Sequence, residues 1–276
     1  MYLLHVISRI VLIIVGVALV ATGCGSSSAG GKPTLVAAFY PLAYAAERVA
    51  GTRYAIDDLT PPGVEPHDLE LSPRTVARIE TANVVLYLGH GFQPAVEKAA
   101  RAGSGTRHDL LAGLALHGSD PHVWLDPVLF AHVVRRIAVA LHGDATPLLA
   151  DLRRLDSAYR RELQNCARRE IVTSHSAFGY LAERYGLRQV AITGITPESE
   201  PSPRRVADVI RTVRRTHATT VFFERLLSPR LAKTVARNAG AGTAVLDPIE
   251  AEEHGQTYLT LMRRNLTELR RALGCR

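Results

Sequence analysis

The sequence is short of several things, and each shortage removes a class of protein. Three cysteines in 276 residues are too few for a disulfide scaffold to stand in for a hydrophobic core. Aromatic residues make up 6%, and the 33 Lys and Arg are scattered among 26 Asp and Glu without a long basic block. The formal charge of +7 therefore carries no nucleic-acid signature, and no nucleic-acid partner is expected. No stretch reads Gly-x-Ser-x-Gly or His-Glu-x-x-His, so the nucleophile elbow and the helical zinc-protease motif are absent. Gly89-His90-Gly91 lacks the Lys-Ser/Thr ending of a phosphate loop. What is present is 47% hydrophobic and 21% charged residues, ample for a packed core and, at roughly 150 residues per domain, for about two domains.

Long apolar runs are also scarce. Residues 10–20 form one, preceded by Arg9 and followed by Ala21-Thr22-Gly23-Cys24. It is too short for the roughly 20 residues of a membrane span and suits the apolar region of a signal peptide. The small residues before Cys24 resemble the lipobox of bacterial lipoproteins, although Ala21 stands where that pattern usually has a larger aliphatic residue. On this reading residues 1–23 are a signal peptide, Cys24 is lipidated, and residues 24–32 are a flexible tether. Cys166 and Cys275 would then face an oxidising compartment, where one disulfide closing a loop of about 110 residues and pinning the carboxy terminus is expected. Two buried free thiols are the alternative.

From Pro33 onward, strand-like and helical runs alternate. Thr34–Phe39, Tyr54–Leu59, Val84–Leu88, Glu170–Thr173, Gln189–Ile192, Thr219–Phe223 and Thr243–Leu246 read as strands. Ser72-Pro73-Arg74, Ser202-Pro203-Arg204 and Ser228-Pro229-Arg230 each set a capping hydroxyl before a proline at the first helical position, and the last of these helices should stop at Gly240. The alternation predicts an α/β protein with two similar lobes, each a parallel sheet flanked by helices. The lobes are expected over 33–127 and 166–276, with a helical connector over 128–165. Apolar spacing at Leu129, Val133, Ile137 and Leu141, and again at Leu148, Leu152, Leu155 and Tyr159, places two helices there, interrupted at Gly143–Pro147.

Of the eleven histidines, three stand in loops that an α/β fold gathers at the carboxyl ends of its strands, where such sheets bind ligands. They are His67 in Glu65-Pro66-His67-Asp68, His122 in Asp120-Pro121-His122-Val123-Trp124, and His175 in Thr173-Ser174-His175-Ser176. Asp247, in Leu246-Asp247-Pro248, closes the last strand. Three neutral imidazoles and a carboxylate form a four-donor set of borderline hardness that suits Zn²⁺. The spacings of 55, 53 and 72 residues are far longer than a zinc finger's, so a folded scaffold has to assemble the donors. The alternative is that His67 and His122 are ordinary loop residues and His175 a local cap. His90, His132, His142, His217 and His254 are assigned to structure or surface, and Trp124 is expected to pack beside His122.

The chain resembles the solute-binding lipoproteins of zinc and manganese ABC importers. Carrying the resemblance, in order, are Phe39-Tyr40-Pro41-Leu42, Gly63-Val64-Glu65-Pro66-His67-Asp68, Asp120-Pro121-His122-Val123-Trp124-Leu125-Asp126-Pro127, Thr173-Ser174-His175-Ser176-Ala177-Phe178, Glu198-Ser199-Glu200-Pro201 and Val245-Leu246-Asp247-Pro248. The resemblance implies a metal held between the two lobes by His67, His122, His175 and Asp247. By their own positions in the sequence Glu65, Asp126 and Glu224 are candidate residues around the ligands, with helix or turn capping as the alternative role. The resemblance also implies a rigid connector with limited lobe movement. Histidine at position 175, where manganese members often carry glutamate, favours Zn²⁺ over Mn²⁺.

The implied function is an extracytoplasmic receptor on the cell membrane, monomeric, not an enzyme, that passes the metal to an ABC permease and its ATPase. A manganese receptor or a metal-containing adhesin are the alternatives, and a hydrolase using three of the ligands is a more distant one. The histidine-rich loop that many zinc members carry before the second ligand is missing, since His108 and His117 are the only histidines between His108 and Asp120.

Overall fold

The computed structural model describes residues 31–276; the expected signal peptide, Cys24 and most of the tether lie outside the described residues. Two four-stranded sheets, all parallel, organise the described chain. The first has the order β2-β1-β3-β4, built from β1 (Thr34–Ala37), β2 (Ala55–Asp58), β3 (Val84–Tyr87) and β4 (Thr106–Asp109). The second repeats the arrangement as β6-β5-β7-β8, with β5 (Glu170–Thr173), β6 (Arg188–Ala191), β7 (Thr220–Phe223) and β8 (Gly242–Val245). Parallel pairing demands a crossover between neighbouring strands. Helices α1 (Tyr40–Ala50), α2 (Pro73–Thr81) and α3 (Pro94–Ala102) supply these in the first lobe, and α6 (Gly179–Arg184), α7 (Pro203–Thr216) and α8 (Arg230–Ala239) in the second.

The central strands read as apolar because both faces are covered: Val84–Tyr87 is buried throughout, and β1 is buried from Leu35 to Ala37. Strand β4, Thr-Arg-His-Asp, has no such pattern and was not expected from the sequence. It lies at the sheet edge, paired to β3 with Val84 opposite Thr106 and Tyr87 opposite Asp109, where a half-exposed polar strand is tolerated.

Two of the three Ser-Pro-Arg signals cap as expected. Ser72 Oγ accepts from Thr75 N at 3.1 Å and Ser202 Oγ from Arg205 N at 3.2 Å. At the third, α8 begins one residue later than expected, at Arg230 with Pro229 as its cap, and stops at Gly240 with φ of 77°.

Between the sheets run α4 (Pro127–Leu141) and α5 (Thr146–Leu163). They are two helices because His142 takes a left-handed conformation at the end of α4 and the Asp144 side chain accepts from Thr146 N at 2.8 Å to start α5. The last helix, α9 (Tyr258–Leu273), packs on α5 and against the second sheet. One continuous core runs from Leu35 and Leu86 of the first sheet through Phe130, Ile137 and Tyr159 of the connector to Ile171, Phe222 and Leu246 of the second. A smaller core around Val172, Val209, Val221 and Val235 belongs to the second lobe. Cys166 and Cys275 form a disulfide. It joins the residues just before β5 to the end of α9, so it lies at the amino end of the second sheet.

Candidate metal centre

Each of the three histidines follows the carboxyl end of a strand, and the two sheets turn those ends toward one point. His67 sits in a single 3₁₀ turn (Pro66–Asp68) after β2, started by proline and by Glu65, whose Oε1 accepts from His67 N at 3.2 Å. A buried amide steadies this turn from the sheet side, since Gln93 Nε2 donates to Pro66 O at 3.2 Å and to Ala38 O at 3.3 Å. His122 precedes a second 3₁₀ turn (Val123–Leu125) that leads into α4. His175 follows β5 directly, and its carbonyl accepts from Thr173 Oγ1 at 2.7 Å.

The imidazoles meet through their Nε2 atoms. His122 Nε2 lies 3.3 Å from His67 Nε2 and 3.4 Å from His175 Nε2. The fourth group is Glu250, whose Oε1 is 3.4 Å from His122 Nε2, 3.5 Å from His67 Nε2 and 3.9 Å from His175 Nε2. The donor atoms of the four all lie within 4.8 Å of one another. Four donors at the corners of a tetrahedron with edges of about 3.4 Å stand about 2.1 Å from its centre, which is the Zn–N and Zn–O range. Both Glu250 oxygens are buried and have no hydrogen-bond donor. An orphaned carboxylate facing three imidazole nitrogens is expensive to bury unless a cation completes it.

The far nitrogens of two imidazoles are fixed. His122 Nδ1 is 2.7 Å from Asp120 Oδ1, and His175 Nδ1 is 2.6 Å from Glu224 Oε1, which also accepts from Ser174 Oγ. In the neutral imidazoles these bonds favour the proton on Nδ1 and leave Nε2 as the lone pair that ligates a metal. Burial pushes the His122 imidazole down, but Asp120 and Glu250 outweigh it and raise it to about 9. Burial pushes Glu250 up, but the His122 and His67 imidazoles, with His175 behind them, outweigh it and hold the carboxyl well below its usual range. Glu65 goes the other way: burial, then the nearby Glu250 charge, push it up to about 10. Three aromatic side chains back the centre. Trp124 packs against Phe39, Phe92 and His122, and Phe92 lies edge-on to His67 with ring centres 4.8 Å apart.

Asp247, the expected fourth member, lies outside the group. Its Oδ1 accepts from Ile249 N at 2.8 Å, and its Oδ2 pairs with Arg225 Nε at 3.3 Å and Arg264 at 3.2 Å. Those bonds occupy its lone pairs. Glu250 stands three residues later in the same loop, and the only signal toward it in the sequence is that position, since both carboxylates follow the same strand. Asp126 is likewise elsewhere, capping α4 through Val128 N and Leu129 N and pairing with Arg184. Glu224 and Glu65 do touch the histidines, the first on the His175 ring and the second on the His67 backbone. Asp120, which holds the His122 ring, was not singled out from the sequence.

The family model for zinc-uptake complex component A, periplasmic, matches residues 35–272. The high-affinity zinc uptake system protein ZnuA of Bacillus subtilis is 30% identical over 300 aligned positions, covering 92% of this chain and 94% of that protein. The zinc-binding lipoprotein AdcA of Streptococcus pneumoniae is 33% identical over 92% of this chain, which spans 58% of AdcA's length. Among solved structures, the laminin-binding protein of Streptococcus agalactiae, described as having adhesin and metal-transporting activity, superposes with a TM-score of 0.82 at 30% identity, covering 88% of this chain and 100% of that one. The Zn(II)-bound ZnuA-like domain of AdcA gives 0.75 at 30% identity, covering 88% and 99%. With this fold, this match in length and a three-histidine centre between its sheets, the chain belongs to the zinc-uptake complex component A family.

Proposed function

We propose that the protein is an extracytoplasmic receptor that captures Zn²⁺ between its two lobes through His67, His122, His175 and Glu250 and hands it to an ABC permease driven by an ATPase. The observation that carries this reading is the convergence of three Nε2 atoms and one carboxylate oxygen within 4.8 Å of one another. Three neutral imidazoles with one carboxylate favour Zn²⁺ over the harder Mn²⁺. Four protein donors leave no open position for a reacting water, which argues for a cargo site over a hydrolytic one. The receptor acts as a monomer, held at the membrane by a lipid on Cys24.

Replacing His67, His122 or His175 with Ala is expected to weaken Zn²⁺ binding by orders of magnitude while the metal-free protein stays folded. Competition calorimetry with Zn²⁺ and Mn²⁺, with elemental analysis of the purified protein, measures this. Wild-type affinity in two of the three variants would overturn the assignment. A second reading, adhesion, draws on the likeness to the laminin-binding protein of Streptococcus agalactiae. Deleting the gene separates the two, since loss of an adhesin alone leaves zinc-limited growth unchanged.

A further inference from the structure

The loop that carries Glu250 is held from several sides. Asp247 N donates to Asn265 Oδ1 at 3.0 Å, and Asn265 Nδ2 returns to Asp247 O at 2.6 Å. Pro248 O accepts from Trp124 Nε1 at 2.7 Å, two residues from His122. Arg225 and Arg264 each bridge Asp247 to Glu253 beyond the loop. Inside this frame Ile249 has φ of 58°, a left-handed conformation that a β-branched residue adopts only under constraint. Its side chain is fully buried in the main core, and its N–H is held by Asp247 Oδ1 at 2.8 Å.

The left-handed residue has a geometric consequence. A backbone that stayed extended through Ile249 would continue the line and the side-chain alternation of β8. The reversal at Ile249 lets Ile249 enter the core while Glu250 turns into the cluster.

We propose that Asp247 is a positioning residue for metal capture: clamped by Arg225 and Arg264, it holds the Ile249 N–H so that the left-handed turn aims Glu250 at the three histidines. This rests on Glu250 being the fourth ligand. The same clamp keeps the Asp247 carboxylate from competing for the metal itself.

A double-mutant cycle on the full chain tests it, with Zn²⁺ affinity read by chelator competition and apo-protein melting followed in parallel. Asp247→Ala is expected to weaken binding by roughly 10- to 100-fold, the cost typical of losing a residue that orients a ligand, and Glu250→Gln by at least as much. Because Asp247 acts through Glu250, the double variant should bind no more weakly than Glu250→Gln alone, whereas a general structural defect would add. Ile249→Gly, which takes the left-handed conformation unaided, should restore affinity to Asp247→Ala. Asp247→Asn keeps an acceptor for Ile249 N–H and should stay within ~3-fold of wild type. Asp247→Ser, which does not reach it as well, replaces Ala in the cycle if the Ala variant does not fold.

Wild-type affinity in Asp247→Ala or Asp247→Ser, additive losses in the cycle, or a folded Asp247→Asn as weak as Glu250→Gln would overturn the proposal. Wild-type affinity in Glu250→Gln would instead overturn the ligand assignment beneath it.

Discussion

At the scale of single residues, the centre is a balance between burial and charge. His122 is wholly enclosed, yet Asp120 on one side and Glu250 on the other raise its imidazole to about 9, above the free value of about 6.5. A group raised on folding stabilises the metal-free protein fully below its unfolded value and loses that contribution as pH rises through its folded value. Glu250, lowered on folding, contributes above the usual carboxylate range and loses its contribution as pH falls below it. The apo protein should therefore draw most stability from this pair between about pH 4.5 and 6.5 and lose it toward pH 9. Zinc affinity has the opposite slope across the upper part of that window, because the metal must displace the His122 proton. Melting curves of apo and zinc-loaded protein between pH 6 and 9 check this: the apo midpoint should fall and the gap between the two should widen. A constant gap would show that His122 is neutral before the metal arrives.

Among the elements, the caps decide where helices start and which acidic residues are free. Asp126 stands four residues after His122, and its place in the sequence made it a candidate neighbour of the metal. The structure gives it a different task, two backbone N–H groups of α4 and the guanidinium of Arg184 on α6. Asp126→Ala is expected to lower stability by about 1–2 kcal/mol through the lost cap and to leave zinc affinity unchanged, as read by thermal melting and chelator competition. An affinity loss as large as that of a histidine variant would mean that the α4 start positions His122.

The same scale shows what was legible. Seven of the eight strands were legible, the central β1, β3, β5 and β7 most directly because their residues are apolar and buried, and the break between α4 and α5 is written in Gly143–Pro147. Strand β4 was not legible, since Thr106–Asp109 is polar and owes its conformation to pairing with β3. Local pattern reports apolar residues, and Thr-Arg-His-Asp offers none.

For the whole molecule, the shared core bounds how far the lobes can separate. A continuous apolar core spans both sheets and the connector, so opening the centre widely would expose it to water. The bond between Cys166 and Cys275 closes 109 residues of chain. Replacing both cysteines with Ser is expected to cost about 2–5 kcal/mol, mostly by releasing the unfolded chain. Denaturant unfolding checks the figure. Zinc affinity should hold, because the bond lies before β5 while His175 follows that strand's other end; a large loss of affinity would show that it tensions the centre.

The sequence by itself determined the α/β alternation, the two-part connector and the three loops that bring histidines to strand ends, because capping, periodicity and turn chemistry act over a few residues. Only the tertiary structure decided which carboxylate joins them. Asp247 and Glu250 are carboxylates three positions apart in one loop, both just past the end of β8. Arg225 from the end of β7, Arg264 from α9 and the left-handed Ile249 draw the first away and aim the second inward. Both arginines come from elsewhere in the chain, and local pattern carries no trace of them.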